Sequence, residues 1–244
     1  MALHFLVEDA GDIPVGGEVV LTGAEAHHAA AVRRVRVGEE VTVGDGRGVR
    51  LTGAVAESSP SRVTVRVRAR THVDAPRPRL VLVQALAKGD RDELAVQAAT
   101  ELGVDEIVPW QAARSVSRWD AAKAAKGVAR WSAIVREAAK QAHRLWVPPV
   151  TMPVTTRQLA ARAGTSRMLI LEPTAEAPLS GFEPAAGNAD LVLVVGPEGG
   201  ISPEELAALT DAGATLVRLG ETVLRTSTAG PAALAVVSAR LGRW

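Results

Sequence analysis

The sequence predicts an α/β protein with two domains, and three observations lead to that prediction. Residues 1–73 contain short alternating apolar runs between glycine turns, a pattern typical of a small β-barrel or sandwich. Residues 74–244 alternate continuous apolar runs with longer helical segments, which indicates a parallel sheet covered on both faces. Between them, the segment 71–78 carries two prolines that favour an extended linker, so we place the domain boundary there.

The first domain is predicted to be mostly β structure with one helix. In its last strand the valines from Val63 to Val67 share one face, because strand side chains alternate, and the arginines from Arg66 to Arg70 share the other. That arginine face is either an ordinary solvated surface or a contact for RNA. The glycine-rich run Gly44–Gly48 lies between two strands and is predicted to be a hairpin turn. The predicted strands are 18–21, 41–43, 49–51 and 63–68, and the helix begins near Glu25.

The second domain is predicted to contain five strands that are buried on both faces. Each strand is a short run of apolar residues, and helical segments separate most of them. The predicted strands are 80–86, 106–109, 168–171, 191–195 and 215–219. The predicted helices are 90–102, 121–143, 203–212 and a terminal helix.

Composition excludes several classes of protein. Of the 244 residues, 47% are hydrophobic and 23% charged, as in globular proteins, and no cysteine is present, so disulfides and thiolate chemistry are excluded. No apolar run is long enough to span a bilayer and the start lacks a signal peptide, so we expect a cytoplasmic protein. The net charge is only +1, but the stretch from Trp110 to Trp146 holds eight basic residues against two acidic ones, a clustering that can neutralise phosphates.

A strand, a glycine loop and a helix start follow one another in residues 191–206. Ser202 and Glu205 match a capping box around Pro203, so the helix entry is strongly specified and the loop before it is held in place. Ligands bind beyond the carboxyl ends of parallel strands, so Gly196–Gly200 is either a ligand site or an ordinary turn, and the charged Glu198 among small residues favours a site. No Lys-Ser or Lys-Thr follows the glycines, which excludes a phosphate loop, and the histidines lack metal-site spacing, so no metal is expected.

A second loop, Leu219–Pro231, follows the next predicted strand. Its Thr and Ser residues are plausible helix caps, and Pro231 suits a first helical turn. Arg225 lies between an apolar pair and the cap. It is either a lone surface arginine or a contact for an anion or RNA.

These motifs resemble the ribosomal RNA small-subunit methyltransferase E family. The resemblance rests on G-P-E-G-G at Gly196–Gly200 after an apolar strand, and on L-G-x-x-V-L-R-T at Leu219–Thr226 some twenty residues later. It extends over essentially the whole chain, through Lys88–Arg91, Glu101–Val104 and Arg136–Gln141 with Arg144.

The resemblance implies an amino-terminal PUA-like β-barrel that binds RNA, residues 1–73. It also implies a carboxy-terminal SPOUT domain, residues 74–244, which binds cofactor, dimerises and carries a trefoil knot. The expected activity is methylation of N3 of a specific uridine in 16S ribosomal RNA with S-adenosylmethionine, by a homodimer acting on the small ribosomal subunit. Alternatives are a SPOUT enzyme for another base or a ribose 2′-hydroxyl, and a non-catalytic ribosome-assembly factor.

The resemblance and the charge pattern of the sequence together give the candidate site residues. Glu198 is the candidate base or orienting group, and Arg225 or Arg144 can stabilise charge that develops on the uracil. The candidate RNA-binding residues are His28, Arg33, Arg34, Arg66, Arg68, Lys88, Arg91 and Arg114. The candidate cofactor-binding residues are Leu171, Glu172, Val195, Gly196, Pro197, Glu198, Gly199, Gly200, Leu219, Gly220, Val223, Leu224, Arg225 and Thr226.

One position departs from the family pattern. The family often reads R-T-E-T-A where this chain has Arg225-Thr226-Ser227-Thr228-Ala229. Ser227 therefore stands in place of a carboxylate, and this departure is the best argument for the non-catalytic alternative.

Overall fold

A computed structural model describes residues 2–184 and 187–244. The chain divides into two compact units. The first unit combines Met1–Ala75 with Ala139–Val147, and the second combines Pro76–Ala138 with Pro148–Trp244.

The first unit is built on a five-stranded sheet in the order β1-β3-β4-β5-β2. Strand β1 is parallel to β3, and the other neighbours are antiparallel. The short helix α1, Gly23–His27, continues into a single π-helical turn, His28–Val32, and a 3₁₀ turn occupies Glu8–Asp12. The strands are β1 Leu3–Leu6, β2 Glu18–Thr22, β3 Glu40–Gly44, β4 Val49–Ser59 and β5 Arg62–His72.

The alternation in β5 is confirmed. Its valines from Val63 to Val67 are buried in the core of the unit, whereas Arg66, Arg68 and Arg70 are exposed. The turn at Gly44–Gly48 is the predicted hairpin, and the Asp45 carboxylate closes it by accepting hydrogen bonds from the amides of Arg47 and Val49 at 2.6 and 3.0 Å. Strand β1 was not predicted. It has only four residues, and because the polar His4 is buried, they do not show the alternation of exposed polar and buried apolar side chains that predicts a strand.

The segment Ala139–Val147 belongs to the first unit although it follows that unit by more than sixty residues. The His143 ring stacks on His4 with centroids 5.4 Å apart, and Lys140 forms a buried ion pair with Glu25 at 2.8 Å. Arg50 donates to the His143 carbonyl oxygen at 3.0 Å. Nothing in the sequence pattern predicted this return, and the helix predicted to reach His143 ends at Gln141.

The second unit contains a five-stranded parallel sheet in the order β10-β8-β9-β6-β7. Strands β6, β7 and β9 are buried at every position, as expected for a sheet covered on both faces. The strands are β6 Leu80–Ala85, β7 Glu106–Trp110, β8 Arg167–Leu171, β9 Leu191–Val195 and β10 Thr215–Val217.

Helices cover both faces of this sheet. Leu159 of α4 and Leu209 of α5 join the core cluster on one face, whereas α2 and α6 pack together on the other, where Gly230 meets Leu82. The helix α4 was not predicted, although the T-x-x-Q capping box at Thr155 and Gln158 is a sequence signal for a helix start. The helices are α2 Arg91–Glu101, α3 Ala121–Gln141, α4 Thr156–Ala163, α5 Pro203–Asp211 and α6 Thr226–Arg240, with a 3₁₀ turn at Leu179–Gly181. Within the described residues, no helix combines the length and apolar character needed to cross a membrane.

Candidate active site

A cavity of about 430 Å³ opens where strands β8 and β9 end in the second unit. It lies beyond the carboxyl ends of parallel strands, which is where open sheets of this kind bind ligands. Three loops and one side chain from α2 form its walls. They contribute Leu171, Glu172, Pro173, Val195, Gly196, Pro197, Glu198, Gly200, Ile201, Leu219, Gly220, Thr222, Val223, Leu224, Arg225, Thr226, Ala229 and Arg91.

The structure brings the two predicted loops together in this cavity with the predicted residues Leu171 and Glu172 at the end of β8. Of the residues predicted to bind cofactor, all except Gly199 line it. Gly199 lies beside the cavity instead, where its carbonyl oxygen accepts a hydrogen bond from the Arg114 guanidinium at 3.2 Å. Arg91, predicted as an RNA contact, lines the cavity itself.

The loop between β9 and α5 is held in a compact shape by its own residues. Gly196 leaves no room for a side chain, because a Cβ atom there would approach Ile201 Cγ1 to 2.6 Å, and Gly200 has a φ of +73°. The predicted capping box is present, with Ser202 Oγ accepting from the Glu205 amide at 3.2 Å. Glu205 Oε1 also accepts hydrogen bonds from the Ala113 amide at 2.9 Å and from the Thr156 hydroxyl at 2.7 Å. The loop therefore enters α5 from a fixed position.

The Glu198 carboxylate is already engaged within the chain. Its Oε1 accepts hydrogen bonds from the Lys88 amide and from the Arg91 guanidinium, each at 3.1 Å. Burial raises the pKa of Glu198, but hydrogen bonds from backbone amides and the charge of Arg91 outweigh burial, so the pKa lies below its ordinary value. At neutral pH the group is ionised and ties the loop after β9 to the loop after β6.

A second internal connection was not predicted. Gln84, fully buried near the end of β6, donates to the Thr226 hydroxyl at 2.8 Å, and that hydroxyl donates to the Gly196 carbonyl oxygen at 3.0 Å. Three segments far apart in sequence are thereby joined beneath the cavity. A polar glutamine inside an otherwise apolar strand was the signal that could have identified it. Gln84 Oε1 is buried without a hydrogen-bond partner among the described residues.

The candidate arginines occupy different parts of the molecule. Arg225 immediately precedes α6 without a capping hydrogen bond from its side chain. It is exposed and lines the cavity, and its guanidinium has no partner within the described part of the chain. Arg144 lies in the returning segment of the first unit. Ser227 sits in the first turn of α6 and is partly buried.

The predicted RNA contacts are likewise divided between the units. His28, Arg33, Arg34, Arg66 and Arg68 lie in the first unit, and Arg66 is paired with Glu18 at 2.6 Å. Lys88, Arg91 and Arg114 lie in the second unit and border the loop 196–200 through the hydrogen bonds described above.

Two family models match the chain. A model described as an RNA methyltransferase domain matches residues 74–238, which is more than half of the chain, and a model described as an RNA methyltransferase PUA domain matches residues 21–68.

Full-length relatives agree with these matches. The chain is 45% identical over 250 aligned residues to the ribosomal RNA small subunit methyltransferase E of Mycobacterium bovis, covering 100% of this chain and 94% of the relative. A crystal structure of ribosomal RNA small subunit methyltransferase E from Neisseria gonorrhoeae bound to S-adenosyl methionine superposes with a TM-score of 0.86 at 29% identity, covering 98% of each chain. A Legionella pneumophila protein in complex with the same cofactor superposes with a TM-score of 0.85 at 30% identity, again covering 98% of each chain. On this evidence the chain belongs to the ribosomal RNA small subunit methyltransferase E family.

Proposed function

We propose that the protein is an S-adenosylmethionine-dependent methyltransferase that methylates N3 of a specific uridine in 16S ribosomal RNA. The observation that carries the proposal is the cavity at the ends of β8 and β9, formed by the two loops that the family motifs identify and by the residues at the end of β8. The relative of known structure from Neisseria gonorrhoeae was crystallised with S-adenosyl methionine, which supports the same cofactor here.

The residues present fit this cofactor. A cavity of about 430 Å³ falls in the size range of small-molecule sites. Apolar side chains such as Leu171, Leu219 and Val223 can hold a flat base, and the backbone groups of the glycine loops can hydrogen-bond its edge. Glu172 supplies a carboxylate that can accept hydrogen bonds from ribose hydroxyls. When bound, S-adenosylmethionine supplies an electrophilic methyl group on a sulfonium.

The chain's own residues must orient the uracil and handle its charge. Methylation of N3 requires its proton to pass to solvent, which leaves negative charge shared between O2 and O4. The Arg225 guanidinium, which has no partner among the described residues, lines the cavity and can stabilise that charge. Glu198 is proposed as an orienting group, because its carboxylate already accepts two hydrogen bonds and its pKa is lowered. Positioning accordingly does much of the work.

The two predicted domains have separate roles in this proposal. Residues 1–73 bind RNA through arginines such as Arg66 and Arg68, and residues 74–244 bind cofactor and dimerise. Phosphate contacts supply affinity while one unstacked uridine enters the cavity. The substrate is the small ribosomal subunit, so the enzyme acts in the cytoplasm.

A homodimer and a trefoil knot complete the proposal. The family resemblance implies both. After β10 at one edge of the sheet the chain returns to pack α6 against β9 and β6, and the proposed knot requires this return to pass through a loop of the chain. Light scattering on the purified protein tests the dimer, and a monomer at micromolar concentration would remove that part of the proposal.

Methyl transfer from labelled S-adenosylmethionine to small subunits that lack the modification tests the function. N3-methyluridine in the digested RNA is the expected product. A different methylated base or a 2′-O-methyl nucleoside would assign another reaction of the same fold. Cofactor binding without transfer would favour the assembly-factor alternative, and Ser227→Glu would then be the next variant.

The role of Glu198 is tested by two substitutions. Glu198→Gln keeps an oxygen that accepts from Lys88 and Arg91, so methyl transfer is expected within a few-fold of the parent. Glu198→Ala removes that acceptor, and transfer should fall about tenfold or more as the loop loses its position. If Glu198→Gln abolished transfer while cofactor affinity stayed unchanged, the carboxylate would be the base instead.

A further inference from the structure

A second cavity, of about 490 Å³, lies in the second unit and is lined in part by residues of the segment 87–93, which contains the start of α2. One wall is formed by Ala87, Gly89 and the first turn of α2 with Asp92 and Glu93, and the other is formed by Trp119 and the first turns of α3. The same segment reaches the first cavity through Arg91, the chain neighbour of Asp92. Consecutive residues at the start of α2 therefore line the two cavities, Arg91 the first and Asp92 the second.

The aromatic wall of the second cavity is fixed by packing. The Trp119 indole lies directly on Gly127 of α3, where a Cβ atom would come within 2.5 Å of the ring. Its edge-to-face contact with the buried Trp131, at 5.3 Å between centroids, holds the ring from another direction. Trp119 itself is only half-buried and lines the cavity. A preformed aromatic surface of this kind suits the stacking of a nucleobase.

The charge of the cavity favours an anion. Glu93 is neutralised by Arg130, with Oε1 and Nε 2.5 Å apart and a second hydrogen bond of 2.8 Å. Asp92 is buried and accepts hydrogen bonds from the amides of Ala87 and Glu93. Lys123 has only an exposed contact with Asp120 at 3.6 Å, and Lys126 has no ion pair within the described part of the chain. Arg118 adds a further positive charge to the lining.

We propose that this cavity binds a neighbouring nucleotide of the substrate RNA, with the base on Trp119 and the phosphate between Lys123 and Lys126. The inference rests on the proposed function, since it gives the RNA strand a second fixed point next to the cavity that receives the target uridine. Single-stranded RNA is commonly held by this combination of stacking and phosphate neutralisation. None of these three residues belongs to the glycine-loop motifs.

Binding of a fluorescently labelled short oligouridylate to the full chain, measured by anisotropy over a range of salt concentrations, tests the proposal. Lys126→Gln is expected to weaken binding about fivefold at low salt and to lower the slope of log Kd against log salt by about 0.7, the value for one phosphate contact on a single strand. Trp119→Leu, which keeps an apolar group against Gly127, should weaken binding about fivefold or more through loss of stacking.

Arg157→Gln is the matched control, because Arg157 is an exposed cation on α4 of the same unit. It should leave both affinity and salt slope unchanged. The proposal is overturned if Lys126→Gln behaves like Arg157→Gln, or if the parent chain does not bind the oligonucleotide. Thermal unfolding of each variant separates loss of binding from loss of folding.

Methyl transfer to small subunits distinguishes this inference from the proposed function. If the parent transfers methyl groups but Lys126→Gln binds RNA normally, only the second cavity loses its role. If the parent does not transfer methyl groups yet the variants lose RNA binding as expected, the cavity stands and the proposed reaction fails.

Discussion

The two sheets of this protein are covered and packed in different ways. The sheet of the first unit has one face buried in an apolar core. Polar contacts also hold this unit together, namely the Lys140–Glu25 ion pair and the stacked rings of His4 and His143. The sheet of the second unit is covered on both faces, and its central strands β6 and β9 pack apolar side chains at every position except Gln84.

The difference decides where each unit can carry function. A one-sided sheet leaves much of its outer face to solvent, and in β5 the exposed part of that face carries Arg66, Arg68 and Arg70. A two-sided sheet has no free face, so polar groups are confined to its ends and loops. The cavity loops and Gln84 lie at the carboxyl end of the second sheet, which is where open parallel sheets bind ligands.

The largest expected effect comes from breaking the ion pair between Lys140 and Glu25 in the first unit. Lys140→Met leaves the Glu25 carboxylate without its buried partner, so the free energy of unfolding should fall by about 3–5 kcal/mol. The double variant Lys140→Met with Glu25→Leu should recover much of this loss. Chemical denaturation measures both, and a double variant as unstable as the single one would argue against the pair.

The apolar packing of the second sheet against α6 is tested by Leu82→Ala. Leu82 is fully buried in β6 and packs against Gly230 of α6, so truncation leaves a cavity and should cost about 2–5 kcal/mol. Denaturant titration gives the value. Leu82→Met, which conserves volume, is the control and should cost less than about 1.5 kcal/mol.

Stability of the first unit should depend on pH through His4. Burial, followed by the positive charges of His143, Arg50 and Lys140, lowers the pKa of His4 from 6.5 to about 4. As the pH falls, the unfolded chain therefore binds a proton at His4 before the folded chain does. The contribution of neutral His4 to the free energy of unfolding is present above pH 6.5 and is lost as the pH falls toward 4, by up to about 3 kcal/mol. His4→Phe keeps a ring against His143 and removes the titration. If the free energy of unfolding of parent and variant changed equally with pH, the assignment to His4 would be contradicted.

The buried end of β6 is tested by Gln84→Leu. This change removes the donor to Thr226 and loosens the position of the Gly196 carbonyl, so affinity for S-adenosylmethionine should fall about fivefold, or about 1 kcal/mol. Calorimetric titration measures it. Val83→Ile in the same strand alters packing without touching this connection, and an equal loss there would deny Gln84 a special role.

The smallest effect is expected on the arginine face of β5. Arg66 and Glu18 form an exposed ion pair, so Arg66→Ala should change the free energy of unfolding by about 0–1 kcal/mol, and less at high salt. Thermal unfolding at two salt concentrations checks this. A loss as large as that of Leu82→Ala would mean that the outer face is also structural.

The local pattern of the sequence determined a large part of this protein. Continuous apolar runs identified the five strands of the second unit to within about two residues. In β6, β7 and β9 burial on both faces explains the pattern, whereas the edge strand β10 is only partly buried. The glycine loops and the Ser202–Glu205 capping box identified most of the first cavity, because strand ends and helix starts are specified by neighbouring residues.

Only the tertiary structure decided which distant residues meet. The hydrogen bond from Gln84 to Thr226 joins residues 142 positions apart, and the one from Arg91 to Glu198 spans 107. The return of Ala139–Val147 to the first unit and the second cavity depend on contacts of the same kind. Hydrophobic periodicity and capping are properties of a few consecutive residues, whereas these contacts form only when the whole chain is packed, so no local pattern contains them.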